Sequence, residues 1–188
     1  FLTKAIEIDP NYSAVYSRMI QLFTEVRESP DQAKKIRSLF EEIVTGDRPT
    51  ALAHFALSNI LWIVDERAQA KFHLEQAYLL DNDFVIIINN LAWILAQEES
   101  PDLERALELA ETAVSRVPES PRFRDTLGTV LVKLGRHKEA ISELQLALSG
   151  VPDTAPVHQK LAFCYKSIGM NDLAEMHLRK IKTASPEN

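Results

Sequence analysis

A chain of 188 residues with 46% hydrophobic and 26% charged residues has the composition of a globular protein with a sizeable core. Its single cysteine, Cys164, excludes a disulfide framework and a multi-cysteine zinc site. The net charge of -6 argues against nucleic acid as a partner, and no apolar run approaches the ~18 residues that membrane insertion requires.

The charge is distributed unevenly along the chain. Residues 1–120 carry 11 basic and 20 acidic side chains, whereas residues 121–188 carry 10 basic and 7 acidic ones. Such an asymmetry can orient a partner but identifies no chemistry. Because the chain begins with Phe1 rather than methionine, we expect it to be a piece of a longer protein. The sequence does not identify the compartment: the cytoplasm is favoured slightly, and the periplasm is the alternative.

The sequence repeats itself with a period of 34 residues. In chain order we predict the end of a truncated copy, a diverged copy with about four extra residues, a regular copy, a copy with two extra residues and two further regular copies: 1–12, 13–50, 51–84, 85–120, 121–154 and 155–188. The landmarks that recur in the same order are those of the fifth segment: Leu127, Gly128, Gly135, Ala140, Leu144 and Pro152. The last of them recurs as Pro186 in the final copy.

Each full copy is predicted to form two helices. In 121–154 the apolar residues follow helical spacing up to Leu134, and Gly135 interrupts the run. A second helical run begins at His137 and stops before Pro152, since proline cannot continue a helix. The β-branched stretch 85–88 occupies the place where the other copies begin a helix, and we predict helix there as well.

These landmarks resemble the tetratricopeptide repeat (TPR) family, whose motif reads W-x2-L-G-x2-Y…A-x3-F…P. The resemblance covers essentially the whole chain, and residues 89–128 are similar to the repeats common in bacterial members. It implies an all-α fold, a right-handed superhelical solenoid of antiparallel helix pairs, with the first helix of each pair lining a concave face. The chain departs from the motif at the tryptophan position, which holds Tyr16, His54, Ile88, Arg124 and His158.

No motif points to catalysis, a metal or a cofactor. The histidines form neither an H-x3-H nor an H-E-x2-H pair, and the chain has no nucleophile motif and no phosphate-binding loop. His54 and His158 occupy one repeat position, and His73 and His177 share another, so their spacing follows the repeat. We therefore predict packing or surface histidines and no enzyme.

The resemblance places copy positions 2, 5, 9 and 12 of each first helix on the concave face. This stripe is mostly polar in 13–50 and 121–154, but apolar and aromatic in the two middle copies, where it comprises Leu52, Phe55, Asn59 and Trp62, then Ile86, Asn89, Trp93 and Ala96. Large aromatic side chains on a solvent-facing stripe indicate binding. The alternative is that these aromatic side chains pack against one another and close the groove.

Asparagines lie between the aromatic residues, and an amide can pair with a peptide backbone of any sequence. Some family members clamp a terminal carboxylate with two asparagines and three basic residues. Asn59, Asn90 and Arg122 match that set, whereas Phe55 and Thr126 replace two of the basic residues and argue against such a clamp. The candidate peptide-binding residues are Leu52, Phe55, Asn59, Trp62, Asn89, Asn90, Trp93, Arg122 and Asp125.

The sequence thus predicts a non-enzymatic interaction module that binds a peptide or helical segment of a partner protein in the groove of copies 51–84 and 85–120. No nucleic acid, no membrane insertion and no cofactor are expected. The alternative is a structural spacer, or a self-association domain that forms a homo-oligomer through an exposed terminal helix within residues 1–9. Fold alone does not decide between them.

Overall fold

The computed structural model describes residues 2–9, 11–47 and 49–184, and within these ranges every regular element is an α-helix. The helices are α1 (Leu2–Ile8), α2 (Ser13–Val26), α3 (Pro30–Thr45), α4 (Ala51–Ile63), α5 (Arg67–Leu80), α6 (Val85–Gln97), α7 (Leu103–Arg116), α8 (Pro121–Lys133), α9 (His137–Ala147), α10 (Ala155–Ser167) and α11 (Asn171–Ala184). Of the residues singled out above, Phe1 and Pro186 lie outside the described residues. The all-α prediction is confirmed, including helix rather than strand at 85–88.

The chain divides into two compact units, Phe1–Ile87 and Ile88–Asn188, and the boundary falls within α6. In the first unit α2 packs on α3 and α4, and α4 packs on α5. The side chains that are almost completely buried at the centre of this unit are Phe23, Phe40, Leu57, Ile60, Leu61 and Leu74. Their burial contributes about 2 kcal/mol for each large side chain.

Helix α1 contacts α2 at the start of the first unit. Ile6 is buried at 6% exposure and joins the same apolar cluster as Val15, whereas Ile8 is 78% exposed. One side of this short helix therefore packs on the following helix pair, while its last apolar residue remains in solvent.

In the second unit α8 pairs with α9, α10 pairs with α11, and α7 and α9 pack on the following first helices α8 and α10. At Gly128 the two helices of the α8–α9 pair approach closely, because a Cβ atom placed on it would lie 2.7 Å from Cγ of Leu144. The sequence landmark Gly128 is thus explained by the side chain of another landmark.

The turn inside three of the helix pairs has the same backbone geometry. Asp65, Gly135 and Gly169 hold equivalent repeat positions and have positive φ values of 64°, 72° and 81°. In each turn the following N–H donates to the carbonyl five residues earlier at 2.9 Å, in the pairs Glu66 to Leu61, Arg136 to Leu131 and Met170 to Tyr165. This is a Schellman helix end, and it favours glycine at the left-handed residue.

Of these three turn residues, Asp65 alone has a Cβ atom, and a residue with a Cβ atom is strained at positive φ. We therefore expect Asp65→Gly to raise the free energy of unfolding by about 0.5–1 kcal/mol. The ion pair of Asp65 with Arg67 would be lost, but the Asp65 side chain is 79% exposed and the pair contributes little. Urea denaturation followed by circular dichroism measures the change. Asp65→Ala is the matched control and should be destabilised, because a Cβ remains on the left-handed residue. A glycine variant no more stable than the alanine variant would contradict this account.

Candidate functional site

In the first unit, the predicted stripe lies along one side of α4. Leu52, Phe55 and Trp62 are half-buried, and the ring of Phe55 packs edge-on against Phe84 with 6.3 Å between the ring centroids. The helix begins where the Thr50 side chain accepts a hydrogen bond from the N–H of Ala53 at 3.2 Å. Because α4 contains no charged residue, its partly accessible side is uncharged, and Asn59 is the polar residue among the apolar side chains there.

The Asn59 amide and the Trp62 ring of α4 already have partners within the first unit. The Asn59 amide Nδ2 donates to the carbonyl of Phe55 at 2.7 Å, so this donor serves the helix itself. The guanidinium of Arg67 lies over the Trp62 ring, with Cζ 3.6 Å from the ring centroid. This cation–π contact fixes the orientation of the indole, although the side chain remains partly accessible.

In the second unit, α6 departs from the expected open stripe. Asn89 is 3% exposed and Ala96 is fully buried, so neither presents a side chain to solvent. The reason is that α6 has no charged residue and is buried on most of its circumference, as an almost wholly apolar helix should be. Asn90 and Trp93 are half-buried and stay at the surface.

The two asparagines of α6 are joined to one another. Nδ2 of Asn89 donates to Oδ1 of Asn90 at 3.3 Å. Oδ1 of Asn89 is buried without a hydrogen-bond partner among the described residues. Asn89 therefore orients the amide of Asn90, and a ligand could reach Asn90 directly but not Asn89.

The remaining predicted residues lie on α8. Arg122 is exposed, whereas Asp125 is half-buried and forms an ion pair with Lys160 of α10. Nζ of Lys160 also donates to Oγ1 of Thr129 at 2.8 Å, so this lysine joins two first helices. Thr126, at a clamp position, is 5% exposed and its hydroxyl donates to the carbonyl of Arg122 at 3.2 Å. It therefore offers no cation for a carboxylate.

Two pairs of histidines are in contact, which the sequence did not predict. Nδ1 of His54 lies 3.0 Å from Nδ1 of His73, and the equivalent atoms of His158 and His177 are 2.9 Å apart. Each pair joins the two helices of one repeat. The shared repeat positions were visible in the sequence, but the contact depends on how closely the two helices pack.

Burial lowers the pKa of all four imidazoles. It lowers the pKa of His54 to about 4, with a further contribution from His73. The pKa of His73 is lowered by burial and, in part, by Arg37, against the opposing effect of Glu41. Burial and the Lys180 ammonium lower the pKa of His158, and both also lower that of His177, whose pKa the neighbouring imidazole reduces further. In each pair one ring therefore donates and the other accepts as neutral imidazoles at neutral pH.

Within the described part of the chain, no three histidine, cysteine, aspartate or glutamate side chains converge as a metal site would require. Burial raises the pKa of the Cys164 thiol, which makes it a poor nucleophile. None of the helices described combines the length and apolar character needed to cross a bilayer.

Comparison with known proteins identifies the repeat. Residues 98–162 match the family model of the tetratricopeptide repeat. Anaphase-promoting complex subunit 3 of Schizosaccharomyces pombe is 23% identical over 94% of the chain, which spans only 26% of that relative's length.

Two solved structures share the fold over nearly their full length. A structure of MamA (AMB-1) has a TM-score of 0.71 at 23% identity, covering 91% of this chain and 96% of MamA. YrrB, described as a tetratricopeptide repeat protein with an unusual peptide-binding site, has a TM-score of 0.71 at 20% identity, covering 100% of this chain and 93% of YrrB. Together with the family-model match over residues 98–162, these likenesses show that the helix pairs of both units have the fold of tetratricopeptide repeats.

Proposed function

We propose that the chain is a non-enzymatic interaction module that binds a peptide or a helical segment of a partner protein on the first helices of its repeats. Tetratricopeptide repeats are a fold of protein–protein interaction, and arrays of this kind act through surfaces made by successive repeats. The structurally similar YrrB is described as binding a peptide, which supports the same use of the fold here.

The observation that carries the proposal is the uncharged outer side of α4. Leu52, Phe55 and Trp62 occur at helical spacing and each keeps part of its side chain accessible. The contacts of Phe55 with Phe84 and of Trp62 with Arg67 hold both rings in place before a ligand arrives. Preorganised aromatic side chains lose little conformational entropy on binding, which is why they dominate many interfaces.

The second unit carries accessible first-helix side chains of its own, and these support the proposal within that unit. Asn90 and Trp93 are accessible on α6 and Arg122 is exposed on α8. Asn89 and Asp125 have positioning roles, because Asn89 donates to Asn90 and Asp125 holds Lys160. An amide such as Asn90 can pair with the ligand backbone, while the aromatic rings select apolar side chains.

The test is a selection of random 12-residue peptides on the purified chain, followed by fluorescence anisotropy with the enriched peptides. We expect Phe55→Ala, Trp62→Ala or Trp93→Ala to weaken binding by about 1–3 kcal/mol for each ring that the ligand covers. Circular dichroism must show unchanged helix content, so that the loss reports on binding.

Phe72→Ala is the matched control, because Phe72 is 57% exposed but lies on the second helix α5. Its affinity should equal that of the unchanged chain. Equal affinity of all three stripe variants and the control would contradict the proposed site, and would move binding to second helices or to the ends of the array.

The alternative role is a spacer or a self-association domain. The observation in its favour is the exposed apolar surface near the first helix, where Ile8 is 78% and Tyr12 is 54% exposed. Sedimentation velocity over a hundredfold range of concentration distinguishes a self-associating chain from a monomeric spacer. A mass that rises with concentration and returns to that of a monomer in Ile8→Glu would favour self-association.

A further inference from the structure

We propose that α8 and α10 of the second unit bind an acidic peptide segment that carries an apolar side chain. This inference rests on the proposed function, because it supposes that first helices bind peptides, and it adds the chemistry of the partner. It is carried by the charges of the two helices, by the pairing of their one carboxylate and by an exposed phenylalanine.

The two helices differ in charge from the first helices that precede them. Together α8 and α10 contain five arginine or lysine residues and one acidic residue, whereas α4 and α6 contain none of either kind. Excess positive charge on α8 and α10 contrasts with the net charge of -6 of the whole chain.

Internal ion pairs use two of the five cations. Lys160 neutralises Asp125, the only carboxylate on either helix, and Arg124 pairs with Glu143 of α9 at 2.6 Å. The three that remain, Arg122, Lys133 and Lys166, are exposed and have no ion-pair partner in the part of the chain that the structure describes. Arg122 and Lys133 lie on one side of α8, three helical turns apart.

An exposed apolar side chain lies between the two lysines of α10. Phe163 is 54% exposed on α10, one turn before Lys166. Its ring meets the His137 ring edge-on, with centroids 5.6 Å apart, so the exposed ring has a defined orientation. Lys160 lies one turn before Phe163 and is fixed between Asp125 and Thr129.

A ligand that matches this surface carries carboxylates and at least one apolar side chain. Each exposed cation contributes modestly to affinity, but three of one sign attract an acidic segment and repel a basic one. The attraction between exposed charges is screened by salt, so binding should weaken as ionic strength rises. Nucleic acid is also polyanionic, but three unpaired cations are few for phosphate-backbone binding.

The experiment uses the same peptide selection and the charge-reversal variant Arg122→Glu/Lys133→Glu/Lys166→Glu. We expect the enriched peptides to have a negative mean net charge and to contain an aromatic residue or leucine. Their affinity should fall about tenfold or more in the triple variant, and several-fold in Phe163→Ala. The neutral variant Arg122→Gln/Lys133→Gln/Lys166→Gln should show a smaller loss of the same sign.

The matched control is Lys34→Glu/Lys35→Glu/Lys138→Glu, which changes the net charge equally at exposed positions on the second helices α3 and α9. It should retain the affinity of the unchanged chain. Equal losses in both triple variants would overturn the inference, since net charge rather than this surface would then govern binding. The inference would also be overturned, in favour of nucleic acid, if the chain bound a 20-nucleotide single strand tightly and only Arg122→Glu/Lys133→Glu/Lys166→Glu lost that binding.

The outcome also separates this inference from the proposed function. If neutral peptides bind the chain and lose affinity in Trp62→Ala or Trp93→Ala, the inference of an acidic ligand is wrong, but the proposed interaction module is supported. If acidic peptides bind and only the charge variants weaken that binding, the inference is supported and the aromatic residues of α4 and α6 are not part of the binding site. A selection that enriches no peptide would overturn both.

Discussion

Gly128→Val is expected to destabilise the second unit by about 2–3 kcal/mol, although valine has the higher intrinsic helix propensity. The first added carbon would lie 2.7 Å from both Cγ and Cδ2 of Leu144, well inside ordinary van der Waals contact. Leu144 is fully buried, so moving its side chain aside would disturb the packed neighbours around it. Gly128→Ala should be milder, because it adds the same atom without the branched methyl groups.

The double variant Gly128→Val/Leu144→Ala tests this account, because it adds the larger residue and also makes space for it. Leu144→Ala alone should cost about 3 kcal/mol because it leaves a cavity in the α8–α9 contact. In Gly128→Val/Leu144→Ala the added side chain enters that cavity, so the double variant should lose at least ~1.5 kcal/mol less than the sum of the single losses.

Urea denaturation gives the midpoints, and amide hydrogen exchange resolved by helix shows where stability is lost. Both measurements are needed because repeat arrays can unfold in parts rather than in one step. Losses confined to α8 and α9 are expected. Strict additivity of the two substitutions would exclude the contact as the reason for glycine at this position.

Acidification from pH 7 to pH 5 is expected to destabilise the chain through the two histidine pairs. Because the folded-state pKa of each paired histidine lies below its value of about 6.5 in the unfolded chain, the unfolded state binds protons first. The stability provided by the neutral pairs is therefore complete above pH ~6.5. It is lost progressively as pH falls toward the folded-state pKa, which is about 4 for His54.

The geometry explains why both pairs should respond. Two imidazoles with Nδ1 atoms 2.9–3.0 Å apart share one proton between them, and a second proton on that axis would place two N–H groups against each other. Lys180 adds positive charge near the second pair, whereas Glu41 partly offsets the effect at His73. Both pairs are therefore expected to lose stability as the pH falls below ~6.5.

Melting temperatures of the chain and of His54→Gln/His158→Gln between pH 7.5 and pH 5 measure this effect, since most carboxylates remain ionised in that range. Glutamine can hydrogen-bond the partner ring but does not titrate, so the variant should lose less stability on acidification. His137→Gln is the control, because His137 faces Phe163 rather than another imidazole. Parallel pH profiles for the chain and the paired-histidine variant would rule out the pairs as the acid-sensitive element.

The repeat period and its landmarks were sufficient to predict the helix pairs. Gly135 and Gly169 end the first helices because only a residue free to adopt positive φ completes that turn, and this requirement is local. Asp65 takes the same conformation without glycine, so the landmark pattern missed a turn that the backbone hydrogen bonds still form. The uncharged character of α4 and α6 was equally plain from their residues.

The sequence alone therefore determined the class of fold and which helices carry aromatic and charged residues, and it gave the repeat boundaries as a prediction. These features depend on residues that lie within one or two helical turns of each other. Only the tertiary structure decided which side chains meet. His54 meets His73 across 19 residues and Asp125 meets Lys160 across 35. It also decided that Asn89 is buried while Trp93 stays accessible. Such contacts depend on the spacing and rotation of packed helices, which a hydrophobic period does not encode.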